Sequence, residues 1–453
     1  MPPQTQNRKD LLQAYRLMTH RTALALIAGE PDSANQPLRR RNMATISGVL
    51  AGIIACGVFG VLGLIFHGGP VNGLTKAGTL VIDKDTATPY VPCHAGGQQK
   101  LCPALNYASA LLALNSAQPD RVEVAQAALA NYQIGPTVGI PGLPQDLPTS
   151  KDLVKSPWSV CMDTKGVSTL VGGASVGGTA LTSTNAALVQ AQGQDWVLYN
   201  GSRFKIDGST MAKVWPMASP QTVSPAWLNT LPENPAGFAA PAVPGANQPV
   251  TGPGGPTKGG QVYQVSSAGE SSEYYVLEAD QKLHSVTELQ ALLLEDQPGA
   301  PGQQTLDAGQ ANSLGAPVPS SGLPQSKPTL PSGTGPICVS YASGSARTVI
   351  TGATVPANAA PTGNGGPATV NQVWLPQGRG ALIGVASGNG QTSANSWFLL
   401  VGATRYGLAG PGVAGDLGYT LKDDQTLLPA SLVDVLPAGK ALDPSTAIQP
   451  TSG

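Results

Sequence analysis

Between Met43 and Phe66 the chain runs for 24 residues without a charged residue or a proline. At about 1.5 Å of rise per residue a helix of this length reaches roughly 36 Å, enough to cross a hydrocarbon core of about 30 Å with some tilt. Arg39, Arg40 and Arg41 stand immediately before it, whereas the far flank, His67-Gly68-Gly69-Pro70, has only Lys76 nearby. Excess positive charge stays on the cytoplasmic side. The expected arrangement is therefore residues 1–42 cytosolic, residues 43–67 spanning and the remainder external, a single-pass inner-membrane topology. A cleaved signal peptide fits less well, because its apolar core is usually about 7–15 residues long and its polar head is short. The small residues of the run, among them Ser47, Gly48, Ala51, Gly52, Ala55 and Gly60, include spacings that permit close helix contact, although they equally match ordinary span composition.

Composition constrains the rest. Gly (56) and Pro (41) make up about a fifth of the 453 residues, against roughly 12% on average. Charged residues are 11%. Short strands joined by many turns and several linkers follow, an α+β chain without a large helical core. Residues 1–42 carry seven Arg or Lys against three Asp or Glu, so the overall charge of -1 conceals an acidic remainder. That remainder offers no basic face for nucleic acid.

Along the chain, residues 7–28 place Leu11, Leu12, Tyr15, Met18, Thr22, Ala25 and Leu26 near one face at helical spacing, and Gly29-Glu30-Pro31 supplies a stop. Too short to form a core, this basic helix is expected to dock a cytosolic partner through Leu11, Leu12, Tyr15, Arg16 and Met18, in preference to lying on the inner leaflet. Beyond the span the sequence repeats itself. Trp196–Ile206, Tyr275–Ser285 and Trp397–Leu408 each read as a β-hairpin. Short helices are expected at Ser224–Leu231, Ser285–Leu294 and Pro429–Leu436, with Pro225 at a first helical position and a Ser285 to Glu288 capping box. Leu80–Val91 followed by Leu105–Leu114 is a more diverged copy. The expected order is repeat 1 at 73–130, the first half of a central β domain at 150–192, repeat 2 at 194–235 and repeat 3 at 260–298. The second half of the β domain follows at 336–394, then repeat 4 at 395–440 and a tail at 441–453. Pro/Gly-rich linkers at 135–148, 235–260 and 298–336 would separate these modules into an elongated string.

Of five cysteines, Cys56 falls in the span as an apolar side chain. Cys93, Cys102, Cys161 and Cys338 lie where oxidation is permitted. Three pairings exist. The preferred one joins Cys93 to Cys102 across a local loop and Cys161 to Cys338, which share strand-like contexts. A zinc site from Cys93, His94 and Cys102 lacks a fourth ligand at useful spacing.

No motif carries strong chemistry. The only Gly-Lys, Gly439-Lys440-Ala441, lacks the hydroxyl and the earlier glycine of a phosphate loop. Gly410–Gly415 matches a dinucleotide pattern but reads as a loop. Gly173-Ala-Ser175-Val-Gly177 matches a hydrolase elbow, yet strand-like residues follow where a helix is required, and its only downstream histidine, His284, is placed at a helix start. Asn200-Gly201-Ser202 fits a glycosylation acceptor and, better, a hairpin turn. No catalytic, cofactor or metal site is expected.

With these residues in place, the chain resembles the EccB family, the single-span membrane component of the type VII (ESX) secretion apparatus. The resemblance rests on Gln13-Ala14-Tyr15-Arg16, the Arg39-Arg40-Arg41 patch with its span, Cys102-Pro-Ala-Leu-Asn-Tyr-Ala-Ser-Ala110 and Trp158-Ser-Val-Cys161. The family usually has a basic residue or histidine where Cys102 stands, so the Cys93 to Cys102 bond would be a local departure. Resemblance implies a non-catalytic structural subunit in a core complex with EccC, EccD and EccE. It also implies that the external part contacts a mycosin protease and its own copies in a homo-oligomeric ring. The family is sometimes labelled an ATPase; an external nucleotide hydrolase and a cell-envelope binding module are the alternatives. If the topology is as read, protease added to intact spheroplasts will digest the region beyond residue 73 and spare an epitope placed at residues 1–42.

Overall fold

A computed structural model of the chain describes residues 8–28, 37–66, 73–116, 118–266, 271–332, 335–342, 346–363, 368–386 and 392–451. The chain divides into two units, Met1–Asn72 with Ala127–Asn131, and Gly73–Gln126 with Tyr132–Gly453. The expected stop Gly29-Glu30-Pro31 and the flank from His67 to Pro70 lie outside the described residues.

In the first unit, helix α1 covers Arg8–Ala28 and helix α2 covers Pro37–Phe66. Helix α2 starts six residues before the expected boundary at 43, with Pro37 as its first residue, where a missing N–H costs nothing. Arg39, Arg40 and Arg41 are thus part of the same helix; their side chains lie outside what is described. Met43–Val61 has a mean hydropathy of 2.1 and none of it is buried. Ile46, Val49, Ile53 and Phe59 are each more than half exposed. A helix apolar all round suits a hydrocarbon solvent, not water. Ser47 hides its hydroxyl by donating to the Met43 carbonyl at 2.6 Å.

The second unit holds a seven-stranded sheet in the order Ala360–Pro361, Gln372–Trp374, Ser168–Gly172, Trp158–Met162, Ile337–Tyr341, Arg347–Thr351, Thr179–Ala180. Its middle is the antiparallel pair Trp158–Met162 and Ile337–Tyr341, where Cys161 faces Cys338, Ser159 faces Ser340 and Trp158 faces Tyr341. Cys161 and Cys338 are disulfide-bonded and fully buried.

Four smaller sheets share one plan. Three antiparallel strands are followed by a helix, then by a fourth strand that returns parallel to the first: Thr79–Asp83 with Asp120–Val124, Ala187–Ala191 with Gln221–Thr222, Val262–Val265 with Gln303–Leu306, and Gly380–Ala386 with Gln425–Pro429. Ala187–Ala191 and Gly380–Ala386, read as ends of the central β domain, are instead first strands of the second and fourth repeats. Apolar runs identify a buried strand but not its sheet. The helix that follows the third strand in repeat 2 is Gly208–Val214, which buries only Val214 and has almost no sequence signal. The helix opened by Pro225, capped by Ser224, comes one step later in the plan, as does Ala430–Val433 in repeat 4. The capping box of the third repeat is Thr287 with Gln290, because Ser285 is still on the strand Leu283–Val286. Gly410–Gly415 is not a loop: Pro411–Asp416 is helical.

The expected separators are packed straps. Ile140 and Leu143 join Ala108, Leu112, Leu382, Leu399, Ala414 and Leu442 in one core, so repeats 1 and 4 pack together. Phe204, Trp215 and Phe238 meet Leu289, Leu293 and Leu323, which joins repeats 2 and 3. Residues of repeats 2 and 4 also bury against the central sheet, around Trp158, Val160 and Val339. Apolar faces of such small units are stable only when covered by neighbours, and here the Pro-rich chain completes the covering. Replacing Cys161 and Cys338 together by alanine should lower unfolding free energy in urea by on the order of 3–5 kcal/mol, the closed loop being long. The same change at Cys93 and Cys102, nine residues apart, should cost about 2–3 kcal/mol.

Candidate functional site

Helix α1 presents uncovered apolar side chains: Leu11, Leu12, Tyr15 and Met18 are 62%, 53%, 69% and 74% exposed. Helices in proteins draw most of their stability from packing on a neighbour, and this one of 21 residues leaves those side chains unpacked. Thr19 and Thr22 spend their hydroxyls on the carbonyls of Tyr15 and Met18, leaving Arg8, Lys9, Arg16 and Arg21 as its cations.

The segment Leu105–Ala110 has a structural role. Asn106 caps the helix Tyr107–Leu114 by accepting from the Ser109 amide at 2.8 Å, and its own amide donates to the Ile140 carbonyl at 3.0 Å. Ser109 Oγ accepts from the Ile140 amide at 2.9 Å. Both side chains are buried, so the motif clamps the strap at 140 onto the first repeat. Cys93 and Cys102 form a disulfide beside it, which removes them as zinc ligands. Gly135 lies directly on that bond: a Cβ there would come 2.5 Å from the Cys102 sulfur.

Two arginines occupy equivalent places in repeats 2 and 4. Arg203 stacks 4.9 Å from the Trp196 ring centroid and pairs with Glu233 at 3.3 Å, while Arg405 stacks 4.9 Å from Phe398 and pairs with Asp434 at 3.2 Å. The counterpart of Trp196 is therefore Phe398, not Trp397. Trp397 points to the opposite face, into the core shared with repeat 1, as a one-residue shift in a strand demands.

The weak motifs resolve into structure. Ser175 lies between the strands Ser168–Gly172 and Thr179–Ala180, with no helix behind it. Gly439 is held in extended chain by donating to the Arg405 carbonyl at 2.8 Å, next to the pairing of Arg405 with Ala438. Asn200 and Gly201 both have positive φ, 46° and 69°, and close a two-residue hairpin.

His284 is on a strand, not at a helix start, and belongs to a cluster with Glu278 and Asp280. Its Nδ1 is 2.7 Å from the Ala316 carbonyl, and its Nε2 faces both Asp280 carboxylate oxygens at 3.2 Å and Glu278 Oε2 at 3.6 Å. Burial works against charge on the ring, but the Ala316 carbonyl and the two carboxylates outweigh it and hold His284 above the ordinary imidazole value. The Lys282 amide, donating at 3.0 Å, together with His284 holds Asp280 below the usual carboxylate range. Sequence reading missed this group; its signal was the spacing Glu-x-Asp-x-x-x-His across a hairpin turn.

One candidate span ahead of a disulfide-bonded, β-rich body built from four copies of one plan defines a class, a membrane protein whose folded part is a scaffold of repeats. The family model described as Type VII secretion system ESX-1, transport TM domain B matches residues 4–452. The chain belongs to this family of type VII secretion EccB proteins. It is 34% identical over 234 residues to the ESX-2 secretion system ATPase EccB2 of Mycobacterium tuberculosis, covering 47% of this chain and 45% of that protein. It is 29% identical over 289 residues to the ESX-5 secretion system ATPase EccB5 of the same organism, covering 59% and 54%. The chain thus spans about half the length of these relatives. A chain of an intact ESX-5 inner membrane complex has the same fold, with a TM-score of 0.65 at 22% identity over 100% of this chain and 97% of that one. So has EccB3 in a dimer from the ESX-3 core complex, with a TM-score of 0.64 at 23% identity over 82% of this chain and 99% of that one.

Asn106→Ala should destabilise the body by about 2 kcal/mol in a denaturant titration, the sum of a lost cap and a buried carbonyl left unpaired. Asn106→Asp, which keeps the cap but sets a buried carboxylate oxygen against the Ile140 carbonyl, should recover none of that loss at neutral pH.

Proposed function

We propose that this chain is a structural, membrane-anchored subunit of a type VII (ESX) protein secretion complex, with helix α1 in the cytosol and the repeat-built body on the external side. The observation that carries this reading is helix α2, whose apolar run comes directly after three arginines and ahead of the oxidised body. The arginines favour the cytosolic side and the disulfides favour an oxidising one. The family match over residues 4–452 supports the assignment to secretion.

In this reading the uncovered side chains Leu11, Leu12, Tyr15 and Met18 dock α1 onto a cytosolic partner, with EccC, EccD and EccE type components as the membrane neighbours. The external modules, the central sheet and the four repeats, contact further copies of this chain and a mycosin protease. The body acts by holding neighbours in place, since its internal polar clusters serve caps, turns and straps. The relatives carry the word ATPase in their names; under the present reading the chain itself does not turn over nucleotide.

Extraction of native membranes in mild detergent should bring the chain out in a large assembly with an EccC-type ATPase. Recovery solely as a monomer would count against the proposal. Leu12→Asp with Met18→Asp should leave the chain in the membrane while lowering recovery of the cytosolic partner at least tenfold. Sustained ATP hydrolysis by the chain purified free of that partner would instead favour an enzyme.

A further inference from the structure

The third repeat carries a group of side chains that the anchor role does not use. We infer that Glu278, Asp280 and His284 form a binding site for one divalent cation of the zinc class. His284 Nδ1 lies 2.7 Å from the Ala316 carbonyl oxygen, which can only accept, so Nδ1 carries a hydrogen. In the neutral ring Nε2 is then a bare lone pair, aimed at three carboxylate oxygens. Lone pairs do not face carboxylates without something positive between them.

A proton can serve there, shared between the two Asp280 oxygens, and a divalent cation would take its place. Here the separations are 3.2, 3.2 and 3.6 Å. Zinc bonded to nitrogen and oxygen at about 2.0–2.2 Å in a tetrahedron sets its ligands roughly 3.3–3.6 Å apart along each edge. The edges that meet at Nε2 are close to those of such a tetrahedron, and the three ligand atoms lie within 4.8 Å of one another.

The supporting structure is also that of a ligand set. A metal-binding histidine typically donates its other nitrogen to a carbonyl, which fixes the tautomer and the ring plane; Ala316 provides that carbonyl. Gly315 lies flat against the ring, where any Cβ would collide with Cε1, Nδ1 and Nε2. The strap is pinned there by backbone bonds, Leu283 to Ser313 at 2.7 Å and Gly315 to Leu283 at 2.9 Å. Asp280 is held by the Lys282 amide in the turn. Side chains of His284 and Glu278 are 12% and 14% exposed while Asp280 is 46% exposed, so two ligands are fixed and one gates the approach from solvent. Three protein ligands leave a fourth position for water. A cation there would tie the turn 278–282 to the strand Leu283–Val286, and through His284 to the strap.

The test uses the full chain in mild detergent, stripped with a chelator and titrated calorimetrically with zinc alone. One zinc per chain is expected, with affinity weakened at least tenfold in both His284→Gln and Asp280→Asn and unchanged in His94→Gln. Glutamine at 284 can still donate to Ala316, and Asp280 is on the surface, so both variants keep the fold. Cobalt should give the visible bands of a four-coordinate ion in the wild type and lose them in His284→Gln. No zinc uptake by the wild type, or equal uptake by His284→Gln and Asp280→Asn, overturns the assignment.

Discussion

Everything beyond helix α2 depends on one pairing, that of Trp158–Met162 with Ile337–Tyr341. It joins chain segments 177 residues apart at the disulfide. Closing so large a loop costs little more entropy than closing a moderate one, and the covalent bond removes much of that cost from the unfolded chain. The indole of Trp227 donates to the Val160 carbonyl and the Tyr341 hydroxyl to the Thr230 carbonyl, both at 2.9 Å. Repeat 2 is thereby fastened to this pair by hydrogen bonds in an otherwise apolar core. Repeats 2 and 3, which lie between Thr179–Ala180 and Ile337–Tyr341 in the chain, are an insertion into one sheet.

The repeats then solve a problem of area. A three-stranded antiparallel sheet with one short helix cannot bury its own apolar face. Repeat 1 covers repeat 4, repeat 2 covers repeat 3, and repeats 2 and 4 lean on the central sheet. Straps rich in proline and glycine fill what remains. The segment from 307 to 332 runs from Ser313 on repeat 3, past the Gln290 side chain at Pro319, to Pro328 under Trp215 and Thr329 beside Ala186 in repeat 2. Its low conformational freedom suits it to crossing between modules without a core of its own.

What could be read from sequence was whatever local chemistry decides. The apolar run from Met43, the hairpin turn at Asn200-Gly201, the cap at Ser224-Pro225 and the mixed α+β class depend on a few adjacent residues. What failed depends on distant ones. Ala187–Ala191 and Gly380–Ala386 were apolar enough for any sheet, and only tertiary pairing assigns them. Proline and glycine content suggested separators at 135–148, 235–260 and 298–336, yet Ile140, Phe238 and Leu323 are buried there among aromatic and leucine side chains. Trp196 and Trp397 looked equivalent because aromatic residues were matched; the arginines seven residues after Trp196 and Phe398 hold the true register. The Glu278, Asp280 and His284 group is drawn together by a turn whose tip, Gln281, has a positive φ of 59°, a detail that composition does not reveal.

The packing of repeat 1 on repeat 4 has a further consequence for how such a chain is made. Ala108, Leu111 and Leu112 find their partners in Leu399, Val413, Ala414, Leu442 and Ala447, and Thr451 bonds back to Thr137 at 2.9 Å. Repeat 1 therefore waits, with a greasy helix uncovered, until residues 399–451 have been synthesised. Folding of the body becomes a late event, and a nascent chain of this design must be shielded from its neighbours until that distant segment arrives.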